Sequence, residues 1–313
     1  MRVVALFVLA VWCAECAWGG FTVAAYPVVL LFLGPLYGGA ALLIREVARR
    51  RGAGWPGIVL LAAAFGVFQA ALVDQSLLDP GALSGTEFAA WNEAASATRV
   101  FGVSAEQAFD FVGGHVWLSI CAPIALVEAC VAPAERDRAW LGRGVWVTLL
   151  VVYAGSSVLI WSDSGRVVSP AQAVVVLGVC GLLVTAALLL PRRRDAVVPA
   201  GGGVPPVVLG VVVAGAQVAS WFFGSQWWGV GLRVVTLLVV AVLLARFAVS
   251  PRHVVAALGA CVLVAAVAAW LSPPYEAAAP WLMLLSDAAV TVVALVVVTV
   301  AYHRVASGGG SAS

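Results

Sequence analysis

Residues 169–190 read SPAQAVVVLGVCGLLVTAALLL, and Arg192, Arg193 and Arg194 follow almost at once. The run holds no charge. At 1.5 Å of rise per residue a helix of this length crosses a hydrocarbon core of roughly 30 Å. A barrel strand would show about ten residues of alternating polarity. The unbroken apolar run predicts a helix instead, which satisfies its own backbone hydrogen bonds where no water can reach.

The same pattern recurs along the chain. Further runs lie at 3–19, 22–45, 56–75, 109–132, 144–162, 205–224, 228–247, 253–271 and 280–302, so the sequence predicts an all-α, polytopic bundle of about ten spans. Composition agrees: 63% of residues are hydrophobic, 10% are charged, and mean hydropathy is +1.06. A soluble domain carries about a quarter charged residues. A formal net charge of +2 gives no footprint for a nucleic-acid partner. The arginines are suited to anionic lipid heads, and membrane lipids are the expected surroundings.

Arginine placement predicts orientation. Arg2, the Arg45–Arg51 cluster, Arg136, Arg138, Arg143, Arg192–Arg194, Arg246, Arg252 and Arg304 fall at alternate turns, whereas the opposite turns hold Arg99 and Arg166. With an even span count both termini are expected in the cytoplasm, in a plasma (inner) membrane. The first run also fits a cleaved signal peptide, with small residues near Cys13–Ala17. Four regions are expected: a six-span half at 1–195 with the polar pocket and outer loop 76–108, a Pro/Gly linker at 196–204, a four-span half at 205–304, and a disordered tail at 305–313.

Polar residues inside spans are costly and mark functional positions. Glu15 lies in the outer part of span one, Asp74 and Gln75 end span three, and Asp110 and His115 open span four. The loop between those spans carries Trp91 and Asn92 in a pattern that suggests a short interfacial helix. Together these seven residues predict an outward-facing ligand pocket of acids, amides, a histidine and aromatics. Gly113 and Gly114 are expected to allow close helix approach at His115. Arg233 and Asp287 lie at matching depth in spans eight and ten, which predicts an intramembrane ion pair. Glu46 can pair with Arg49 or Arg50 one turn on, and Glu128 with arginines nearby. Cys13-Ala-Glu-Cys16 has the spacing of a redox pair, but small apolar packing residues are the plainer reading. No cofactor or metal is expected, and the oligomeric state is open.

Span three reads Phe65-Gly-Val-Phe-Gln69-Ala70-Ala-Leu-Val-Asp74, and span four opens Phe111-Val-Gly-Gly-His115. Together they resemble the CPBP family of intramembrane proteases, the CAAX-processing and bacteriocin-processing group. That resemblance implies E-E-x-x-x-R on one helix, F-x-x-x-H on a later helix, and a further histidine. Phe111 and His115 meet the second motif. Gln69 and Ala70 stand in place of the glutamates, Asp74 stands in place of the arginine, and His253 and His303 fall at the arginine-rich ends of their spans. A glutamine is no general base and one histidine is no metal site, so the resemblance implies a hydrolytically dead member. Tyr37–Glu46 also resembles a segment of uncharacterised actinobacterial membrane proteins.

Two function classes follow. One is binding or transport of a lipid-like or small amphiphilic ligand. The other is an intramembrane enzyme, either a divergent hydrolase or an isoprenoid-converting enzyme, using the acids and His115. They differ in whether Glu15, Asp74 and His115 meet within hydrogen-bond reach around a closed cavity.

Overall fold

The computed structural model describes residues 1–165, 167–191, 203–247 and 250–307. Most of the expected linker and tail lie outside the described residues, as do Arg166 and Arg192–Arg194. The chain is helical almost throughout, and its one sheet among the described residues is a two-stranded hairpin, β1 (Arg99–Val100) with β2 (Val103–Ser104).

In chain order the helices are α1 (Arg2–Val11, continued by the π turn Trp12–Cys16), α2 (Tyr26–Arg51), α3 (Gly54–Phe68, continued by the π turn Gln69–Val73), the short α4 (Ala89–Ala95), and the composite α5 (Ala105–Ala129). There follow α6 (Arg143–Asp163), α7 (Pro170–Leu189), α8 (Pro206–Ser220), α9 (Trp227–Phe247), α10 (Pro251–Ala269) and α11 (Pro280–Ser307). Eight of them are long and apolar enough to cross a membrane, and the chain is a helical membrane protein. Every expected run is a helix. Those of the first and seventh runs are shorter than a full span, and α8 is counted only among the shorter apolar helices.

The core lies between α1, α2, α3 and α5, where Leu6, Leu36, Ile58, Ile120 and Ile124 are completely buried. It continues into α10 and α11 through Cys13, Ala122, Val262 and Ala294, so the two sequence halves share packing. Glycine sets the closest approach. A Cβ on Gly38 of α2 would stand 2.6 Å from the Phe7 ring of α1. Around this core α6, α7 and α9 are peripheral, with large side chains such as Val151, Val175 and Val235 well exposed. Trp161, Trp221, Trp227, Trp228 and Trp281 are exposed at the ends of α6, α8, α9 and α11, as interfacial anchors should be.

At the arginine-rich face, polar groups are buried by mutual pairing rather than solvated. Arg45 and Glu46 are each 1% exposed. Glu46 accepts from Arg50 one turn on at 2.8 Å and from the Trp140 backbone N–H at 2.8 Å. Glu128 of α5 lies 2.8 Å from Arg45 Nε and accepts from Nε and Nη2 of Arg49. The Arg45 guanidinium also stacks on Trp140, 3.2 Å from its ring centre. These contacts fasten the turn after α5 to α2. Glu46 and Glu128 therefore find the partners that the sequence offered, inside the protein rather than at a wet helix end.

Candidate functional site

Among the described residues four π-helical turns interrupt the membrane helices: Trp12–Cys16, Gln69–Val73, Ala108–Val112 and His115–Cys121. A π turn wastes hydrogen-bond geometry and is rare, so it persists mostly where function requires a side chain out of α-helical register. Glu15, Gln69, Asp110 and His115 sit within these turns, and Asp74 caps the second.

Glu15, Tyr37, Gln69 and Asp74 gather at one depth, about 20 Å from the arginine-rich ends of α1 and α2 at 1.5 Å per residue. Tyr37 lies within electrostatic reach of Glu15 and Asp74, Asp74 lies close enough to Glu15 to repel it, and Gln69 neighbours Asp74. Asp74 Oδ1 also accepts from the hydroxyl and backbone N–H of Ser76, at 2.6 and 2.9 Å. No cation pairs with either acid among the described residues. Gln69 is 2% exposed and its Oε1 has no partner. Glu15 and Asp74 are only half-buried, while Cys13, Cys16, Val73 and Gln75 on the same turns are sealed. The acids are thus less enclosed than their neighbours on the same turns.

Aromatic rings from three segments lie over the acids. Trp18, Phe21 and Phe88 pack around Tyr275 with ring centres 5.3, 5.4 and 5.4 Å away, and Trp18 meets Phe88 edge-on at 5.9 Å. The Tyr275 backbone N–H donates to Gly20 O at 3.0 Å, tying the loop before α11 to the loop after α1. Burial, then the charges on Glu15 and Asp74, push the Tyr275 phenol far above its ordinary range.

His115 adjoins this cluster without joining the acids. Its ring lies 5.6 Å from Tyr37 and 5.5 Å from Phe65, and its nearest polar partner is Ser119 Oγ at 3.4 Å. The close approach at His115 comes from Gly66 of α3, where a Cβ would stand 3.1 Å from both His115 Cβ and Val112 O. Gly114 faces open space and Gly113 lies under its own helix's Trp117, so the expected role of that glycine pair is corrected.

Four expected site residues lie elsewhere. Gln75 is 1% exposed, takes a left-handed backbone (φ 59°), and points at the turn before α7. Its Oε1 accepts from Val167 N at 3.0 Å and Val168 N at 3.2 Å, and its Nε2 donates to Gly165 O at 2.7 Å. Every polar group of that amide is satisfied within the fold. Asn92 does the same inside loop 76–108, donating to Pro80 O and accepting from Gln107 Nε2, each at 2.6 Å. Asp110 belongs to a second charged group with Glu106 and Arg233. Trp91 stacks edge-on against Phe111 at 5.8 Å.

The expected pair of Arg233 with Asp287 is not formed. Arg233 donates to Glu106 at 3.0 Å and to Gly224 O at 2.7 Å, while Asp287 sits half-buried on α11. Glu106 lies in the first turn of α5, where the loop from α3 ends, and from there its carboxylate reaches Arg233. Cys13 and Cys16 are both buried free thiols in the core. Among the described residues no three His, Cys, Asp or Glu side chains converge closely enough to hold a metal ion.

Tyr37, Gln69 and the ring cluster escaped the sequence reading as site residues. A lone tyrosine and a glutamine in otherwise apolar spans were the available signal; the rings come from segments far apart in sequence. No protein-family model, curated protein or solved structure matches this chain.

Proposed function

We propose that the chain binds or transports a lipid-like or small amphiphilic ligand at the crevice formed by Glu15, Tyr37, Gln69 and Asp74. The observation that carries this is a pair of neighbouring carboxylates within an apolar bundle, with no cation beside them among the described residues and with an unpartnered Gln69 carbonyl next to them. Such groups call for a ligand that brings hydrogen-bond donors or positive charge, since an unsatisfied polar group in this setting costs several kcal/mol. The ring cluster above the acids supplies faces for a cationic or unsaturated group, and apolar helix surface accommodates a tail. His115 bonds Ser119 rather than an acid, so no acid–histidine couple stands ready for proton transfer, which favours binding over catalysis.

In this reading the chain crosses a plasma membrane ten times, the short first and seventh helices included. Both termini are cytoplasmic, following the arginine distribution, and the site opens to the outside. Untargeted mass spectrometry of small molecules co-purified with the wild-type protein and with Glu15→Gln/Asp74→Asn tests it. A compound class present in the first and missing from the second is the expected result. Identical profiles overturn the reading.

A further inference from the structure

Loop 76–108 leaves α3 at one of the two acids. Asp74 accepts from the hydroxyl and backbone N–H of Ser76, and Leu77 N donates to Ala70 O at 2.9 Å, so the start of the loop is fixed to the π turn. Residues 80–92 then make an Ω-shaped excursion whose ends are closed by Asn92 Nδ2 on Pro80 O at 2.6 Å. Gln107 Nε2 on Asn92 Oδ1 ties the base of the excursion to α5. Between those ends the segment is self-contained. Among the described residues, the hydrogen bonds of residues 81–88 all close within residues 79–92. Ala82, Ser84, Gly85 and Glu87 are exposed, and a Cβ on Gly85 would meet nothing within 4 Å.

Phe88 sets this excursion against the body of the protein. Its ring lies 5.9 Å from Trp18 and 5.4 Å from Tyr275, and those two lie 5.3 Å apart, so rings from three separate segments meet as a triangle. The triangle stands on the turn that carries Glu15. Trp18 Nε1 donates back to Ala14 O at 2.8 Å, and a Cβ on Gly20 would lie 2.5 Å from the Trp18 ring and 2.9 Å from Glu15 O. Tyr275 is held in place by its N–H on Gly20 O at 3.0 Å. The loop thus starts at one acid and lands beside the turn of the other. Trp18 and Tyr275 are fastened to the body by these bonds, whereas Phe88 rides on a segment whose bonds are its own. Phe88 is therefore the member of the triangle that can leave without breaking a hydrogen bond to the body. Flaps that shut a site from water turn in this way on a few hinge residues.

We infer that residues 80–92 are a lid over Glu15 and Asp74, that Phe88 is its latch on Trp18 and Tyr275, and that the path to the acids opens when Phe88 withdraws. With Phe88 gone, faces of Trp18 and Tyr275 come free beside the two carboxylates. A flat or cationic ligand group then takes the place of the Phe88 ring, so latch and ligand compete for the same faces. The lid rests on the reading of the acids as a ligand site for its purpose; the closure itself is a property of the three rings.

Chemical access to the acids tests the lid. The full chain in detergent is treated with a water-soluble carbodiimide and glycine ethyl ester, which convert reachable carboxyl groups to amides. Glu15 and Asp74 are read by peptide mass spectrometry against Asp163, exposed at the end of α6. Both acids should react slowly in the wild-type protein. Phe88→Ala should raise both rates at least several-fold. Phe101→Ala, on the neighbouring hairpin and with its ring already 94% exposed, should not. Glu128, buried and paired at the other end of the bundle, reports folding by staying unmodified. Phe88→Cys/Tyr275→Cys should match Phe88→Ala, then fall to the wild-type rate or below once a short bismaleimide joins the two thiols. That cross-link decides the matter if Phe88→Ala exposes Glu128. Equal rates in wild type and Phe88→Ala with Glu128 protected overturn the lid. So does an equal rise in Phe101→Ala, and so does a cross-link that leaves the acids as reactive as before. The ligand reading fails separately, on matching small-molecule profiles of wild type and Glu15→Gln/Asp74→Asn, which leave the labelling rates untouched.

Discussion

Arg233 of α9 donates to Glu106 of α5 across 3.0 Å, with the two side chains 6% and 2% exposed. One guanidinium thereby fastens the start of α5, and the folded loop before it, to the second half of the bundle. Its second bond, to Gly224 O at 2.7 Å, holds the turn before α9 in the same grip.

Breaking that pair strands a buried charge. Arg233→Gln or Glu106→Gln alone should cost about 3–5 kcal/mol, read as a fall in melting temperature in detergent. The double variant should lose less than the sum, while Arg233→Gln with Asp287→Asn should be additive within about 0.5 kcal/mol. Coupling to Asp287 instead of Glu106 would contradict the geometry.

Glu128 serves two buried arginines, Arg45 and Arg49. Glu128→Ala should therefore destabilise by about 3–5 kcal/mol. Asp137 also meets Arg49, at 2.7 Å, but its side chain is 81% exposed. Asp137→Ala should cost less than about 1 kcal/mol. Thermal melts of the two variants side by side decide it; equal losses would mean that burial does not set the worth of these contacts.

Glycine substitutions separate contact from sequence pattern. Gly38→Ala should push α1 from α2, since its Cβ would lie 2.6 Å from Phe7 Cδ2 and 2.7 Å from Phe7 O. A loss of about 1–3 kcal/mol is expected. Gly114→Ala meets nothing within 4 Å and should be neutral or slightly stabilising through helix propensity. The same melting assay reads both.

Gln75→Ala removes three hydrogen bonds and leaves the backbone N–H groups of Val167 and Val168 without an acceptor. Stability should fall by about 2 kcal/mol or more, yet any compound retained by the wild-type protein should still co-purify. Loss of that compound with stability unchanged would return Gln75 to the ligand site.

Orientation has its own test. Ser84→Cys, in the exposed part of loop 76–108, should react with an impermeant maleimide added to intact cells. Labelling only after permeabilisation would invert the topology.

The helices were legible because a run such as 169–190 admits one structure in hydrocarbon. The acids Glu15 and Asp74 were legible as a pair because each stands alone in an apolar run. Their neighbours were not. The hydropathy pattern places residues along a helix axis but not around it, and a π turn changes the facing of a side chain without altering composition. That is why Gln75, adjacent to Asp74 in sequence, points instead at Gly165, and why Arg233 meets Glu106 rather than Asp287. Matched depth brought Arg233 and Asp287 to one level, but angular position and the folding of loop 76–108 chose the partner.

The π turns have one more consequence. Each accommodates a residue that a regular helix would have to place about 100° further round its axis. Deleting a single alanine, Ala14 or Ala71, would leave hydropathy and charge almost untouched, yet let the turn close to a regular helix and change the facing of the side chains within it. Variation among descendants of such a chain would then be written in gaps as much as in replaced letters, and a one-residue indel in an apolar helix, ordinarily dismissed as noise, could switch the site on or off.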